Sequence, residues 1–114
     1  MPVNIRPATP TDFPALLQLI HAFALFQQTP GKVTINIEQM TADAALFSCL
    51  LAEREEQEIV GFASFFFAYY SWSGKAIYLD DLYVTKAYRK QGIGKQLLDA
   101  VILQAKENNC IKLR

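Results

Sequence analysis

This sequence has few histidines, few cysteines and no net charge, and each of these features disfavours a class of function. The 114 residues include one histidine and two cysteines, and eleven basic residues balance eleven acidic ones. A nucleic-acid-binding protein normally carries a basic excess, so the composition disfavours a nucleic acid as partner. Cys49 and Cys110 are too few for a disulfide framework and are predicted to be free thiols in apolar surroundings. A catalytic thiol needs a histidine partner, and His21 lies far along the chain from either cysteine.

Long apolar runs are also missing. No run approaches the ~20 residues of a membrane-spanning helix, and the N-terminus lacks the basic stretch and apolar run of a signal peptide. Hydrophobic residues nevertheless make up 52% of the sequence, which is enough for a buried core. The sequence therefore predicts one cytoplasmic domain over residues 1–114, with no membrane partner.

Apolar side chains at helical spacing predict three helices. The first opens with Thr9 and Asp12 placed as a capping box, and the second has a weaker apolar stripe. The predicted helical spans are about 9–28, 38–47 and 92–107.

Five further segments have the composition of strands. Their predicted spans are about 3–6, 48–53, 59–70, 76–84 and 110–114. The short links between the middle three predict an antiparallel meander, and the helix before the last predicts a crossover to a parallel neighbour. Because 62–70 is apolar on both faces, we expect a sheet covered on both sides, with the first two helices over one face.

A pair of glycines opens the third predicted helix, directly after a strand and a loop over 85–91. Gly92 and Gly94 allow the backbone to approach a ligand closely. The first turn of a helix carries unpaired N–H groups and a partial positive charge, which suit a phosphate. Three basic side chains add positive charge beside it: Arg89, Lys90 and Lys95.

Spacing excludes two common phosphate motifs here. A Walker loop requires a glycine where Arg89 stands, and a dinucleotide fingerprint requires one where Leu97 stands. The remaining pattern is Arg89-x-x-Gly92-x-Gly94, which by itself is also compatible with a simple turn at a helix start.

This pattern resembles the acetyl-CoA loop of the GNAT acyltransferase superfamily, which reads Gln/Arg-x-x-Gly-x-Gly/Ala after the fourth strand. Other segments also resemble this superfamily, namely IRPAT from Ile5 with Asp12, IVGFA from Ile59, the turn Trp72–Lys75 and YLDDLYV from Tyr78. Within the superfamily, the sequence best resembles the diamine (spermidine/spermine) N-acetyltransferase group. The resemblance implies an α/β fold with a mixed, mostly antiparallel central sheet flanked by helices, cut off in its fifth strand.

The resemblance also implies acetyl-CoA as cosubstrate and no metal. The pantetheine arm would pair with the main chain of Leu82, Tyr83 and Val84. The pyrophosphate would lie on backbone amides, with the side chains of Arg89 and Lys90 as support. The residues that carry those amides are Arg89, Lys90, Gln91, Gly92, Ile93, Gly94 and Lys95.

For catalysis, the resemblance places Asp80 where the diamine group usually has a glutamate base. Aspartate is one methylene shorter, so proton transfer through water is favoured. Asp81 would bind the cationic amine if a β-bulge brings both carboxylates to one site, and otherwise the two are solvated strand-edge carboxylates. Tyr70 and Trp72 would wall the amine pocket, or are simply core and turn aromatics.

Two departures from the family pattern leave alternatives open. Residues 25–28 lack the charged and tyrosine side chains expected late in the first helix, and Gln18 stands where a basic residue is expected. A polyamine, a diamine and an amino-acid-like side chain therefore all stay open as acceptors. A CoA-contacting Asn and a general-acid Tyr would lie beyond Arg114. The hypotheses are therefore a homodimeric N-acetyltransferase of a primary amine, a CoA-binding chain without turnover, and a dimerising fold fragment.

Overall fold

The computed structural model describes residues 3–114, and their elements follow the predicted order closely. Three α-helices and five strands alternate with short 3-10 turns. The bounds are β1 Asn4–Pro7, α1 Phe13–Phe26, α2 Ile37–Ala42, β2 Ser48–Glu53, β3 Ile59–Tyr70, β4 Gly74–Val84, α3 Ile93–Glu107 and β5 Lys112–Leu113.

The strands form one sheet in the order β1-β2-β3-β4-β5. Strands β1 to β4 are antiparallel neighbours, and β5 runs parallel to β4 through the pairs Ala76–Lys112 and Ile77–Leu113. The predicted meander and the predicted crossover through α3 are both confirmed. The fold is the mixed, mostly antiparallel α/β sheet that the sequence predicts.

Helices cover the two faces of the sheet from opposite sides. On one face, α3 packs through Leu97 and Val101 against buried strand residues that include Ala63 and Ile77. On the other face, α1 and α2 pack on the sheet, and their cluster includes Leu16, Met40, Leu51 and Phe62. The prediction that the first two helices share one face is confirmed.

The helices cover only part of β3. The prediction that the apolar run 62–70 is covered on both faces is therefore wrong for the second half of the strand. The strand is buried from Val60 to Ala63 and at Phe65, whereas Phe66 and Phe67 are about half exposed and Tyr69 is 81% exposed. Some aromatic side chains of the β3–β4 hairpin pack on one another there, and Phe67 meets Phe65 edge-on with ring centroids 6.2 Å apart. Phe66 stacks on Tyr78 with ring centroids 5.1 Å apart.

The second helix is also shorter than its apolar stripe predicts. Asn36 caps α2, because its side chain accepts a hydrogen bond from the Gln39 N–H at 2.7 Å. The helix ends at Ala42, Asp43 is its C-cap, and residues 44–46 form a separate 3-10 turn. Asp43 therefore stands at a helix end rather than inside a helix.

An ion cluster joins the start of the chain to the sheet. The Arg6 guanidinium donates two 2.8 Å hydrogen bonds to Asp12 and a 3.1 Å hydrogen bond to Glu53. The predicted capping pair is present, because the Thr9 N–H donates to Asp12 Oδ2 at 2.8 Å. The hydrogen bonds from Arg6, with support from Thr9, hold the pKa of Asp12 well below its ordinary 3.8.

Asp12→Asn is expected to lower the free energy of unfolding by about 1–3 kcal/mol at neutral pH, because it removes charge-assisted hydrogen bonds. A folded-state pKa below the unfolded-state value means that the carboxylate stabilises the fold above pH 3.8. This contribution is lost as the pH falls through the folded-state pKa. Urea denaturation at neutral and acidic pH measures it. Asp99→Asn, which breaks only the exposed Lys95–Asp99 pair, should change stability little.

None of the helices in residues 3–114 combines the length and the apolar character needed to cross a membrane.

Candidate active site

A β-bulge places Asp80 and Asp81 beside one another on the same side of the sheet. Ser64 pairs with Asp81 and the next residue of β3, Phe65, pairs with Leu79, so Asp80 has no partner on β3. An extra residue of this kind interrupts the alternation of side chains along a strand. The sequence predicts that the two carboxylates share a site only if a β-bulge occurs there. This bulge is present.

Both carboxylates line a cavity between the sheet and the layer of α1 and α2. Its volume is about 390 Å³, and it is open on one side. Most of its wall is apolar, with side chains from both helices and from β3. The principal apolar contributors are Leu16, Ile20, Met40, Phe47, Phe62 and Phe66. A ligand that combines an alkyl stem with a cation fits such a wall better than a strongly hydrated anion does.

The two carboxylates differ in their surroundings. Asp80 is exposed, whereas Asp81 is half-buried. Burial raises the pKa of Asp81 above 3.8, and the neighbouring charge of Asp80 raises it further. Neither carboxylate belongs to an ion pair among the described residues. The pair therefore holds negative charge that no cation in residues 3–114 neutralises.

Asp81→Asn is expected to raise the melting temperature at neutral pH, because the amide removes a partly desolvated charge that lies beside Asp80. Because the folded-state pKa of Asp81 lies above 3.8, the stability of the parent falls as the pH rises from 3.8 through the folded-state pKa. The amide of the variant does not ionise, so the variant does not lose this stability. The gain should disappear well below pH 3.8. Thermal denaturation at several pH values measures it, with the exposed Glu107→Gln as control. An unchanged melting temperature at neutral pH would contradict the assigned burial of charge.

The cysteines behave as predicted from the sequence. Both are free thiols, Cys49 buried and Cys110 half-buried. Cys49 lines the cavity, but burial, with smaller contributions from Asp12 and Asp81, raises its pKa to about 12. The thiol is therefore protonated at neutral pH and is not a nucleophile. His21 is exposed on α1 and does not line the cavity.

The glycine loop forms the start of α3 as predicted. Gly92 has φ +80°, in the left-handed region that favours glycine, and is the N-cap of α3. Ile93 buries its side chain in the core, so it offers only its main chain to a ligand. The first N–H groups of α3 have no partner within the helix. Gly94 has no side chain of its own that could cover the backbone there. A phosphate can reach these amides directly.

The basic side chains around the loop differ in how far they are engaged. Arg89 Nε donates to the carbonyl oxygen of Val84 at 2.8 Å, and its guanidinium lies 4.4 Å from the ring centre of Phe26. Lys95 pairs with Asp99 at 2.8 Å. Lys90 is exposed and forms none of the described ion pairs. Arg89 thus points toward the end of β4 and of α1, rather than toward the start of α3.

The end of β4 lies between the cavity and the glycine loop. Leu82, Tyr83 and Val84 pair with β3 on one side, whereas the pairing with β5 covers only the start of β4. Tyr83 is buried against Phe23, with ring centroids 5.2 Å apart. Gly61 pairs with Val84, and a Cβ on Gly61 would lie 2.9 Å from the Tyr83 carbonyl oxygen, so only glycine allows this close approach of β3 and β4.

The structure does not bring Tyr70 and Trp72 to the cavity, in contrast to the expectation for an amine pocket. Trp72 is fully exposed in the turn after β3. The ring of Tyr70 lies 4.8 Å below the Arg114 guanidinium. The aromatic walls come instead from Phe47, Phe62, Phe65 and Phe66.

Sequence reasoning missed Asp43, which lines the cavity from the end of α2. It was hidden because the whole of 38–47 was predicted as one helix, in which a single aspartate has no special position. No group of three or more His, Cys, Asp or Glu side chains in residues 3–114 is arranged to hold a metal ion.

Comparisons with known proteins identify the family of this chain. Residues 13–114 match the acetyltransferase (GNAT) family. The chain is 35% identical to the thialysine N-epsilon-acetyltransferase of Bos taurus, over 98% of this chain and 72% of that protein. It is 37% identical to the spermidine/spermine N(1)-acetyltransferase-like protein 1 of Homo sapiens, over 83% of this chain and 15% of that protein.

A solved structure shows the same fold. The chain superposes with a TM-score of 0.83 on an aminoglycoside acetyltransferase from an uncultured soil metagenomic sample, solved with sisomicin, at 23% identity over 98% of this chain and 75% of that one. The family match, the relatives and the shared fold all point to one family. This chain belongs to the GNAT family of acetyltransferases.

Proposed function

We propose that this chain transfers an acetyl group from acetyl-CoA to a primary amine by direct attack. The observation that carries the proposal is the bulge at Asp80, which brings into one cavity two carboxylates that form none of the described ion pairs. The GNAT family uses acetyl-CoA as cosubstrate. The relatives named above are acetyltransferases of thialysine and, by name, of a spermidine/spermine-like type, which supports an amine as acceptor.

Acetyl-CoA would follow β4 from the glycine loop to the cavity. Its pyrophosphate would accept hydrogen bonds from the amides at the start of α3, where Gly92 and Gly94 leave the backbone open. Its pantetheine arm would pair with the main chain of Leu82, Tyr83 and Val84 on the side that β3 does not occupy. The thioester would then lie near the bulge, where the acceptor amine enters from the cavity.

Acetyl transfer requires an uncharged amine. Asp80, exposed at the bulge, would take one proton from the ammonium group, directly or through a water molecule. The nitrogen lone pair then attacks the thioester carbonyl, the C–N bond forms and the C–S bond breaks. A second proton passes from the attacking nitrogen to the departing CoA thiolate, directly or through water, so the products are the neutral amide and the CoA thiol. Asp81 would hold the ammonium group before the proton is lost, because its half-buried carboxylate forms none of the ion pairs seen in residues 3–114.

The first experiment is a titration of this chain with acetyl-CoA while its melting temperature is followed. Ligand at ~100 times its dissociation constant adds ~2.7 kcal/mol, and each kcal/mol is worth ~4 °C or more in a domain of this size. A saturable rise, followed by acetylation of a simple primary amine such as pentylamine, is the expected result. A rise without any transfer would leave a CoA-binding chain without turnover. A folded chain with no rise would overturn the proposal.

Arg89 has two candidate roles, and the structure favours one of them. As a phosphate ligand it would act on the pyrophosphate alone, whereas as a positioning residue it would hold the Val84 carbonyl and thereby the end of β4. We expect Arg89→Met to weaken binding of both CoA and pantetheine about tenfold, as for loss of one charge-assisted hydrogen bond. Pantetheine has no pyrophosphate, so calorimetric titration of the two ligands separates the roles.

Lys90→Met is the contrasting variant, because Lys90 is exposed and unpaired among the described residues. It should weaken binding of CoA and leave binding of pantetheine unchanged. If Arg89→Met behaved in the same way as Lys90→Met, Arg89 would be a phosphate ligand after all.

A further inference from the structure

Three side chains form a hydrogen-bonded cluster that joins the turn between β2 and β3 to the segment before the glycine loop. Arg54 Nη1 donates to Glu58 Oε1 at 2.6 Å and to the Tyr88 hydroxyl at 2.7 Å. The Tyr88 hydroxyl donates in turn to Glu58 Oε1 at 3.4 Å. The Arg54 guanidinium also lies 4.6 Å from the centre of the Tyr88 ring. We call these three residues the Arg54 cluster.

The Arg54 cluster is tied firmly to the sheet on one side. Arg54 and Glu58 flank the 3-10 turn that links β2 to β3, and the Arg54 N–H donates to the Glu58 carbonyl oxygen at 2.8 Å. Tyr88 lies 34 residues further along the chain than Arg54, in the 3-10 turn that follows β4. The cluster therefore connects the segment before the glycine loop to a fixed point on two strands that the proposed site does not otherwise use.

The glycine loop has few hydrogen bonds of its own. Among the described backbone hydrogen bonds, none is donated by the N–H groups of residues 90–92. Lys90 has φ +67° and Gly92 has φ +80°, so the chain turns twice through the left-handed region. Beyond the loop, the Gln96 N–H donates to the Gly92 carbonyl oxygen at 3.0 Å. The path of residues 90–92 therefore depends on how the two ends of the loop are held.

The end that follows β4 is held from both faces of the sheet. The ring of Tyr88 packs against the buried cluster beneath α3, whereas the Arg89 guanidinium lies on Phe26 of α1. The Tyr88 N–H donates to the carbonyl oxygen of Thr85 at 3.0 Å. Tyr88 is thus the anchor on the same face as α3, whose first amides are proposed to bind the pyrophosphate.

We propose, on the basis of the function proposed above, that Tyr88 is a positioning residue for the pyrophosphate of acetyl-CoA. Its hydroxyl, held by Arg54 and Glu58, keeps the glycine loop in the conformation in which the amides face the ligand. A loop that occupies this conformation for only part of the time binds its ligand more weakly in the same proportion. The hydroxyl acts through the loop and not on the phosphate, because it donates to Glu58.

Tyr88→Phe removes the hydroxyl and retains the ring. We expect it to weaken binding of CoA about three- to tenfold, as for loss of one hydrogen bond. Binding of pantetheine should not change, because this ligand is proposed to pair with the main chain of β4. Calorimetric titration of both ligands gives the ratio of their dissociation constants, which a purely stabilising role would leave at the value of the parent.

Tyr69→Phe is the matched control, because it makes the same change in a tyrosine that is 81% exposed on the β3–β4 hairpin. It should leave the affinities for CoA and for pantetheine unchanged. An equal loss of CoA affinity in Tyr69→Phe and Tyr88→Phe would overturn the inference, because the effect would then not depend on the Arg54 cluster.

Arg54→Met tests whether the hydroxyl acts through the cluster. In this background, Tyr88→Phe should cause little further loss of CoA affinity, because the partner of the hydroxyl is already absent. An equal loss in both backgrounds would mean that the hydroxyl contacts the ligand itself, and would overturn the inference. CoA binding that Tyr88→Phe does not weaken would overturn the inference alone. A parent chain that binds no CoA would overturn the proposed function together with it.

Discussion

Asp80→Asn is expected to lower kcat for acetylation of an amine about 100- to 1000-fold, which is the usual contribution of a positioned base. Its affinity for acetyl-CoA should not change, because the carboxylate lies at the bulge and the cosubstrate is proposed to bind through main-chain groups. The fold should also persist, since the Asp80 side chain is exposed and forms no described ion pair. Steady-state kinetics together with calorimetric titration of acetyl-CoA measure the two quantities.

Glu107→Gln is the control for that variant, because it removes an exposed carboxylate at the far end of α3. It should leave both kcat and the affinity for acetyl-CoA unchanged. An Asp80→Asn variant with kcat near that of the parent would show that Asp80 is not the base. If Asp81→Asn then carried the loss of kcat, the half-buried member of the pair would take that role.

Gly92→Val is expected to weaken binding of acetyl-CoA about 10- to 100-fold. Gly92 has φ +80°, and a β-branched residue in this left-handed conformation is strained by about 1–2 kcal/mol or more. Relief of that strain displaces the amides at the start of α3, which are proposed to bind the pyrophosphate. Calorimetric titration with acetyl-CoA measures the change.

Gly74→Val is a control matched in conformation, because Gly74 has φ +90° and, like Gly92, open space where a Cβ would stand. It lies at the start of β4, far along the strand from the glycine loop. We expect a similar loss of stability but an unchanged affinity for acetyl-CoA. Equal loss of affinity in both variants would mean that general destabilisation, and not the loop, controls binding.

Local patterns in the sequence determined most of the fold. β2 and β3 have the predicted bounds, and α3 begins at Ile93, because hydrophobic periodicity, glycines and capping residues act over a few neighbouring positions. The glycine loop was predicted for the same reason, since a helix start and a positive φ at Gly92 depend on adjacent residues. The apolar stripe of the second helix is weaker than those of the others, and α2 ends at Ala42, earlier than predicted.

Tertiary structure alone decided how the site is assembled. The bulge at Asp80 depends on which residues of β3 face β4, and this register is set by packing across the sheet. Trp72 and Phe67 are exposed because the helices do not cover this part of the hairpin. The composition of a strand does not predict how much of it the helices cover.

Arg89 and Asp43 illustrate the same limit. The sequence shows a basic residue beside a phosphate loop and an acidic residue inside a helical pattern. Only the tertiary structure places Phe26 of α1 against the Arg89 guanidinium, which also donates to the Val84 carbonyl, and brings Asp43 to the cavity of Asp80. The sequence by itself therefore determined the elements and the family, because these follow from local patterns. The tertiary structure decided which charged side chains meet, because they come from distant positions in the chain.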